Sequence, residues 1–176
     1  KRFAGEHGFN KYFGSYEELA ADPDLEVVYI ASPHSHHKEH TLLCLRNGKH
    51  VICDRYSDST KVYQSVRGVG RNKIDMLVDF ATNGLMPDVT ILLDVPVEVG
   101  LERAKAKSIY KDGDRMEKAG GEFHEAVRYG FLKLAESVAE GHRFQVINAA
   151  PPKTIEEIHQ EIISHISKKL WVGEND

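Results

Sequence analysis

The chain has 176 residues, 41% of them apolar and 28% charged, a length and balance that suit one soluble α/β-sized domain. Its net charge of −4 argues against a surface that holds nucleic acid by charge, and no apolar run approaches the roughly 18 residues of a membrane span. Two cysteines, Cys44 and Cys53, exclude a disulfide scaffold and a four-cysteine zinc site; with no basic-then-apolar opening segment, the expected setting is cytoplasmic.

Short apolar runs alternate with helix-period stretches, which points to α/β architecture with a mainly parallel sheet. Lys1–His7 reads as the tail of a helix stopped by Gly8, and Lys11–Phe13 as extended. Ser15 and Glu18 form a capping box for a short helix that ends before Pro23. Val27–Ala31 is a buried-strand run. Pro33 or Ser35 opens the next helix, with Leu42, Leu43 and Leu45 on its apolar side and Asn47-Gly48 as its stop. His50–Cys53 is a strand, Thr60–Gln64 begins a helix, and Ile74–Asn83 makes another that ends at Gly84. Val89–Val95 is the strongest strand signal. Pro96 opens a helix to about Lys107, residues 108–121 read as a charged loop, and Gly121–Ala139 as a helix. Phe144–Asn148 is the last strand. The final helix has Ile155, Ile158, Ile162, Ile166 and Leu170 along one face.

The expected fold is one three-layer α/β/α domain over residues 1–176 with about five strands, at 11–13, 27–31, 50–54, 89–95 and 144–148. The run 27–31 is expected between 50–54 and 89–95, with 144–148 beyond.

From Asp54 to about Leu170 the chain resembles thymidylate kinase. The residues that carry this are Asp54-Arg55-Tyr56, Asp58-Ser59, Tyr63-Gln64, Gly84-Leu85-Met86-Pro87-Asp88, Glu98-Val99-Gly100-Leu101-Glu102-Arg103, Asp114-Arg115-Met116-Glu117 and Val127-Arg128. The resemblance implies that Arg55 contacts a nucleoside monophosphate's phosphate and that Asp54 helps to position magnesium. It places Tyr63 and Gln64 near thymine and sugar, and Arg103 and Arg115 facing transferred phosphate. Glu117 and Arg128 are read as lid or helix ion pairs.

Residues 1–53 resemble the NAD(P)-binding domain of the glucose-fructose oxidoreductase and inositol dehydrogenase family, through Glu6-His7-Gly8, Tyr12-Phe13-Gly14-Ser15-Tyr16, Pro33-His34 and Gly48-Lys49-His50-Val51-Ile52-Cys53. A change of family within Gly48–Asp54, inside one sheet, reads as a recombined chimera: a Rossmann-derived segment 1–53 joined to a kinase-derived segment 54–176. The sequence holds neither Gly-x-x-x-x-Gly-Lys-Ser/Thr nor Gly-x-Gly-x-x-Gly. The expectation is therefore an engineered protein, produced recombinantly, with no catalytic residues, no cofactor, no metal and no required partner. The enzyme-class alternative is a degenerate thymidylate kinase that binds phosphate, sulfate or a nucleoside monophosphate weakly. A third reading is an NAD(P)-binding oxidoreductase fragment.

In the chimera reading, Ser32, His34, Ser35 and His36 stand where a phosphate loop would be, at a helix start that favours an anion. His36 and His40 are four apart, but no third ligand sits at a recognised spacing. Cys44 and Cys53 are both expected to be core residues. Mismatched packing across the junction, at roughly 1–3 kcal/mol per bad contact, makes loose packing or a homodimer the expected weakness.

Overall fold

The computed structural model describes residues 2–107 and 120–170. They fall into two compact units, divided between Tyr56 and Ser57.

The first unit opens with α1 (Arg2–Glu6) and α2 (Tyr16–Ala21), continues through β1 (Val27–Ile30) and a turn of 3₁₀ helix (His34–His36), and ends with α3 (His37–Arg46) and β2 (His50–Cys53). The Ser15 hydroxyl accepts the Glu18 amide at 3.1 Å, so the cap forms as its spacing predicts. The returning Glu18 carboxylate bonds the Gly14 N–H at 2.9 Å, one residue earlier than in the usual box. β1 and β2 pair in parallel, Val27 opposite His50 and Ile30 opposite Cys53. Alternate residues therefore share a face. Ala20, Ile30 and Cys44 form the buried core, with Val28, Leu43 and Val51 packed against it, while Val27, Tyr29 and Ile52 stand exposed.

The second unit contains α4 (Ser57–Val66), α5 (Arg71–Thr82), β3 (Thr90–Asp94), α6 (Val97–Lys107), α7 (Gly121–Ala135), β4 (Phe144–Asn148) and α8 (Ile155–Leu170). β3 and β4 are parallel, with Thr90 opposite Phe144 and Asp94 opposite Asn148. Val62 from α4, Val127 and Leu134 from α7, and Phe144 from β4 make the core, joined by Leu92, Phe123 and Phe131. Each such side chain removed from water contributes about 1.5–3 kcal/mol. α5 ends where Asn83 turns left-handed (φ 52°) and Gly84 follows at φ 75°. α8 carries a complete capping box: Thr154 Oγ1 accepts the Glu157 amide at 3.2 Å, and the Glu157 carboxylate accepts the Thr154 amide at 2.7 Å.

The chain is thus mixed α/β with parallel strands, but the single sheet of about five strands does not form among the described residues. Four strands make two two-stranded sheets, β1 with β2 and β3 with β4. Residues 11–13 are extended without a ladder, and Lys11 Nζ instead reaches Asp22 at 2.8 Å and Asp24 at 2.5 Å. Among the described residues the partner of β3 is β4 alone, so 27–31 does not sit between 50–54 and 89–95 in a ladder. Cys53 is half-buried, not core, because it ends its strand beside the turn at Asp54-Arg55. Ile155 is 82% exposed, while Ile158 and Ile162, further along the same stripe of α8, are half-buried. The expected loop at 108–121 lies, up to residue 119, outside the described residues.

Candidate functional site

In the first unit the parallel strands end at Ile30 and Cys53, with Ser32 just beyond the first, at the end of a sheet where open α/β folds collect ligands. Ser32, His34, Ser35 and His36 surround the start of α3. The carbonyl of Ser32 can only accept, so His37 Nε2 carries the proton that it donates there at 2.6 Å. His40 Nδ1 meets the Ser32 hydroxyl at 2.9 Å, and Ser35 Oγ meets His36 Nδ1 at 3.0 Å. The rings of His36 and His40 stack at 5.6 Å, and Tyr16 covers His40 at 3.9 Å. No side chain caps α3; its first amide, that of His37, donates to the His34 carbonyl of the preceding 3₁₀ turn. Among the described residues, no three His, Cys, Asp or Glu side chains converge as a metal-binding set.

Across the turn, Asp54 and Arg55 follow β2, both exposed. Arg55 holds a left-handed backbone, φ 64°, a conformation that costs a non-glycine residue about 1–3 kcal/mol. The Cys53 thiol is 3.3 Å from the Arg55 carbonyl and 3.8 Å from His37 Nδ1. Burial, and then the neighbouring Asp54 carboxylate, raises the Cys53 thiol pKa.

The second unit places Tyr63 and Gln64 on α4. The Tyr63 ring lies 6.1 Å from Phe123 and 6.2 Å from Phe131, an aromatic cluster that joins α4 to α7. At the carboxyl ends of β3 and β4, Arg103 Nη1 donates to the Ala149 carbonyl at 3.2 Å, and the Ala149 amide donates to the Asp94 carbonyl at 2.7 Å. Arg128 grips Asp94 with a two-pronged bond, Nε to Oδ1 at 2.7 Å and Nη2 to Oδ2 at 2.9 Å. That hydrogen bonding holds the Asp94 carboxyl pKa below its ordinary value. Arg115, with Asp114 and Glu117, lies outside the described residues.

At the opposite end of β3 and β4 sits a charged network that no sequence spacing signals. Arg143, 3% exposed, donates to both Asp58 oxygens, to Thr90 Oγ1 and to Glu140 Oε2. Lys61 Nζ reaches Glu140 Oε1 at 2.6 Å. Burial pushes the Glu140 carboxyl up, but hydrogen bonds from Lys61 and Arg143 outweigh it and leave its pKa lowered. Asp58 and Arg143 are 85 residues apart, which is why only the fold reveals their contact.

Each unit thus pairs two parallel strands joined through helices, an α/β arrangement. Residues 14–162 match the thymidylate kinase family. The chain is 40% identical over 154 residues to the thymidylate kinase of Syntrophus aciditrophicus (strain SB), covering 85% of this chain and 68% of that protein. It is 42% identical over 142 residues to the thymidylate kinase of Carboxydothermus hydrogenoformans (80% and 66%). Against the thymidylate kinase of Staphylococcus epidermidis it is 38% identical over 143 residues (80% and 68%). The chain belongs to the thymidylate kinase family. It spans about two thirds of the length of these curated relatives.

These matches overturn the recombination reading. The family match begins at Gly14 and passes through Gly48–Asp54, so the residues assigned to an oxidoreductase lie largely inside a kinase-family region. Neither an engineered chimera nor an NAD(P)-binding segment is supported. The expectation that the chain has no enzymatic identity falls too, since its relatives are kinases by name. A missing loop motif is a poor guide in a chain that spans only part of its relatives' length. Among the described residues, no helix is long and apolar enough to cross a membrane.

Proposed function

We propose that this chain serves phosphoryl transfer to a thymidine-type nucleoside monophosphate, and that its own residues supply the monophosphate side of that site. The observation that carries the reading is Arg55. Within a chain of the thymidylate kinase family, it is held left-handed at the carboxyl end of a parallel strand. Strain of this kind persists where a side chain must be aimed, and a guanidinium fork suits phosphate oxygens. Tyr63 and Gln64 are assigned to the nucleoside, with the Tyr63 ring steadied by Phe123 and Phe131. Arg103 and Arg115 are assigned to the transferred phosphate. Magnesium fits the residues present, because it is usually held by one or two carboxylates plus substrate oxygens, and Asp54 is an exposed carboxylate beside Arg55. When bound, the ion would neutralise phosphate charge.

Arg55→Gly tests the assignment with two opposed readouts. Glycine accepts φ near 64° without penalty, so chemical denaturation should show that the variant still unfolds in one cooperative transition. Calorimetry should show thymidine monophosphate affinity reduced at least about tenfold, the equivalent of one lost charged hydrogen bond. Unaltered affinity in the folded variant would remove Arg55 from the site.

A further inference from the structure

Where β2 ends, the first unit sets a thiol against an imidazole. We propose that Cys53 and His37 form a site for a soft, closed-shell metal ion of the copper(I) type. The site is independent of the phosphate-transfer reading and departs from the expectation of a metal-free chain.

Three observations carry it. His37 Nε2 gives its proton to the Ser32 carbonyl at 2.6 Å. A backbone carbonyl on the far ring nitrogen is a usual partner of a metal-ligating histidine, and it leaves the lone pair of the neutral ring on Nδ1. That nitrogen faces Cys53 Sγ at 3.8 Å. The thiol has one proton, and its nearer acceptor is the Arg55 carbonyl at 3.3 Å. The Nδ1 lone pair is therefore aimed at sulfur with no hydrogen on the line between them. Finally, the fold sets this gap: His37 opens α3, Cys53 ends β2, and α3 packs against β2. Both side chains are half-buried, so the gap is held in place without being sealed in the core.

An ion about 2.3 Å from sulfur and about 2.0 Å from nitrogen spans such a gap on a bent path. Among the described residues, no third His, Cys, Asp or Glu side chain converges there. Zinc in a structural site takes four such ligands. One thiolate with one imidazole suits a softer ion that is satisfied by few partners. Burial and the Asp54 carboxylate keep the free thiol protonated. When the metal–sulfur bond forms, that proton leaves to water and the thiol's bond to the Arg55 carbonyl breaks. His37 loses no proton, since its Nε2–H stays on Ser32. Cys44, the other thiol, is 4% exposed within the core and serves as the internal control.

Copper(I) itself is the probe, supplied without oxygen to the full chain in competition with a coloured copper(I) chelator. The wild type should take up one ion per chain. Cys44→Ala should do the same, Cys53→Ser should lose that uptake, and His37→Gln should weaken it at least about tenfold. Zinc(II) at the same concentration should not compete. In the wild type, copper(I) should shift the His37 Nδ1 nitrogen resonance while Nε2 keeps its proton. A folded Cys53→Ser or His37→Gln variant with wild-type uptake would overturn the proposal. So would equal competition by zinc(II), or an Nδ1 resonance that does not move, a result that needs no variant to fold.

Discussion

Arg143→Ala is expected to lower unfolding free energy by about 3–5 kcal/mol, measured by urea denaturation at neutral pH. The cost does not come from losing attraction alone. Arg143 closes Asp58 with two bonds and shares Glu140 with Lys61, and both Asp58 and Arg143 are almost wholly buried. Removing the guanidinium leaves the Asp58 carboxylate away from water with neither of its Arg143 bonds. The guanidinium also lies 4.6 Å from the centre of the Phe144 ring, so its removal opens a space in the core beneath β4. Replacing Asp58 and Arg143 together with leucine and methionine should cost far less than Arg143→Ala, because no buried charge is then stranded at that point. If the single and double changes cost the same, packing and not charge explains the site.

Ile147→Ala should destabilise the chain by about 2–5 kcal/mol. Ile147 is fully buried, 0% exposed, in the middle of β4, where its ladder partner is Leu93 of β3. Truncation removes transfer free energy and leaves a cavity that a two-stranded sheet fixed by α7 and α8 can only partly close. Val146, its neighbour in sequence, is 45% exposed on the other face. Val146→Ala should cost well under half as much, since little area returns to water. Thermal melts of the two variants would show the contrast directly.

Much of this chain could be read before its fold was seen, and the parts that could not share a physical cause. The β-branched run Phe144–Asn148 and the apolar run Thr90–Asp94 announce themselves by composition, and both become strands close to their expected bounds. The capping residue Ser15 is local chemistry, and it acts as a cap. Which strand pairs with which is not local. β3 joins β4, not β1, and nothing in Val27–Ile30 encodes that. The charged quartet of buried Asp58, Lys61 and Arg143 with half-buried Glu140 is invisible for the same reason, its members lying up to 85 residues apart. Misreading residues 1–53 has a related origin. A glycine turn followed by Val51-Ile52-Cys53 is what any parallel α/β unit needs, so such words report the architecture and not the ancestry. Asp54, Arg55, Tyr63, Gln64 and Arg103 can be named from the sequence as residue types in order. The left-handed backbone of Arg55 and the grip of Arg128 on Asp94 required coordinates.

A nuclear magnetic resonance titration of the full chain with thymidine monophosphate addresses the assignment of function most directly. Saturable shifts at the amides of Arg55, Tyr63 and Gln64 are expected, with adenosine monophosphate producing weaker shifts at the same positions. Spectra that stay unchanged at millimolar thymidine monophosphate would contradict it.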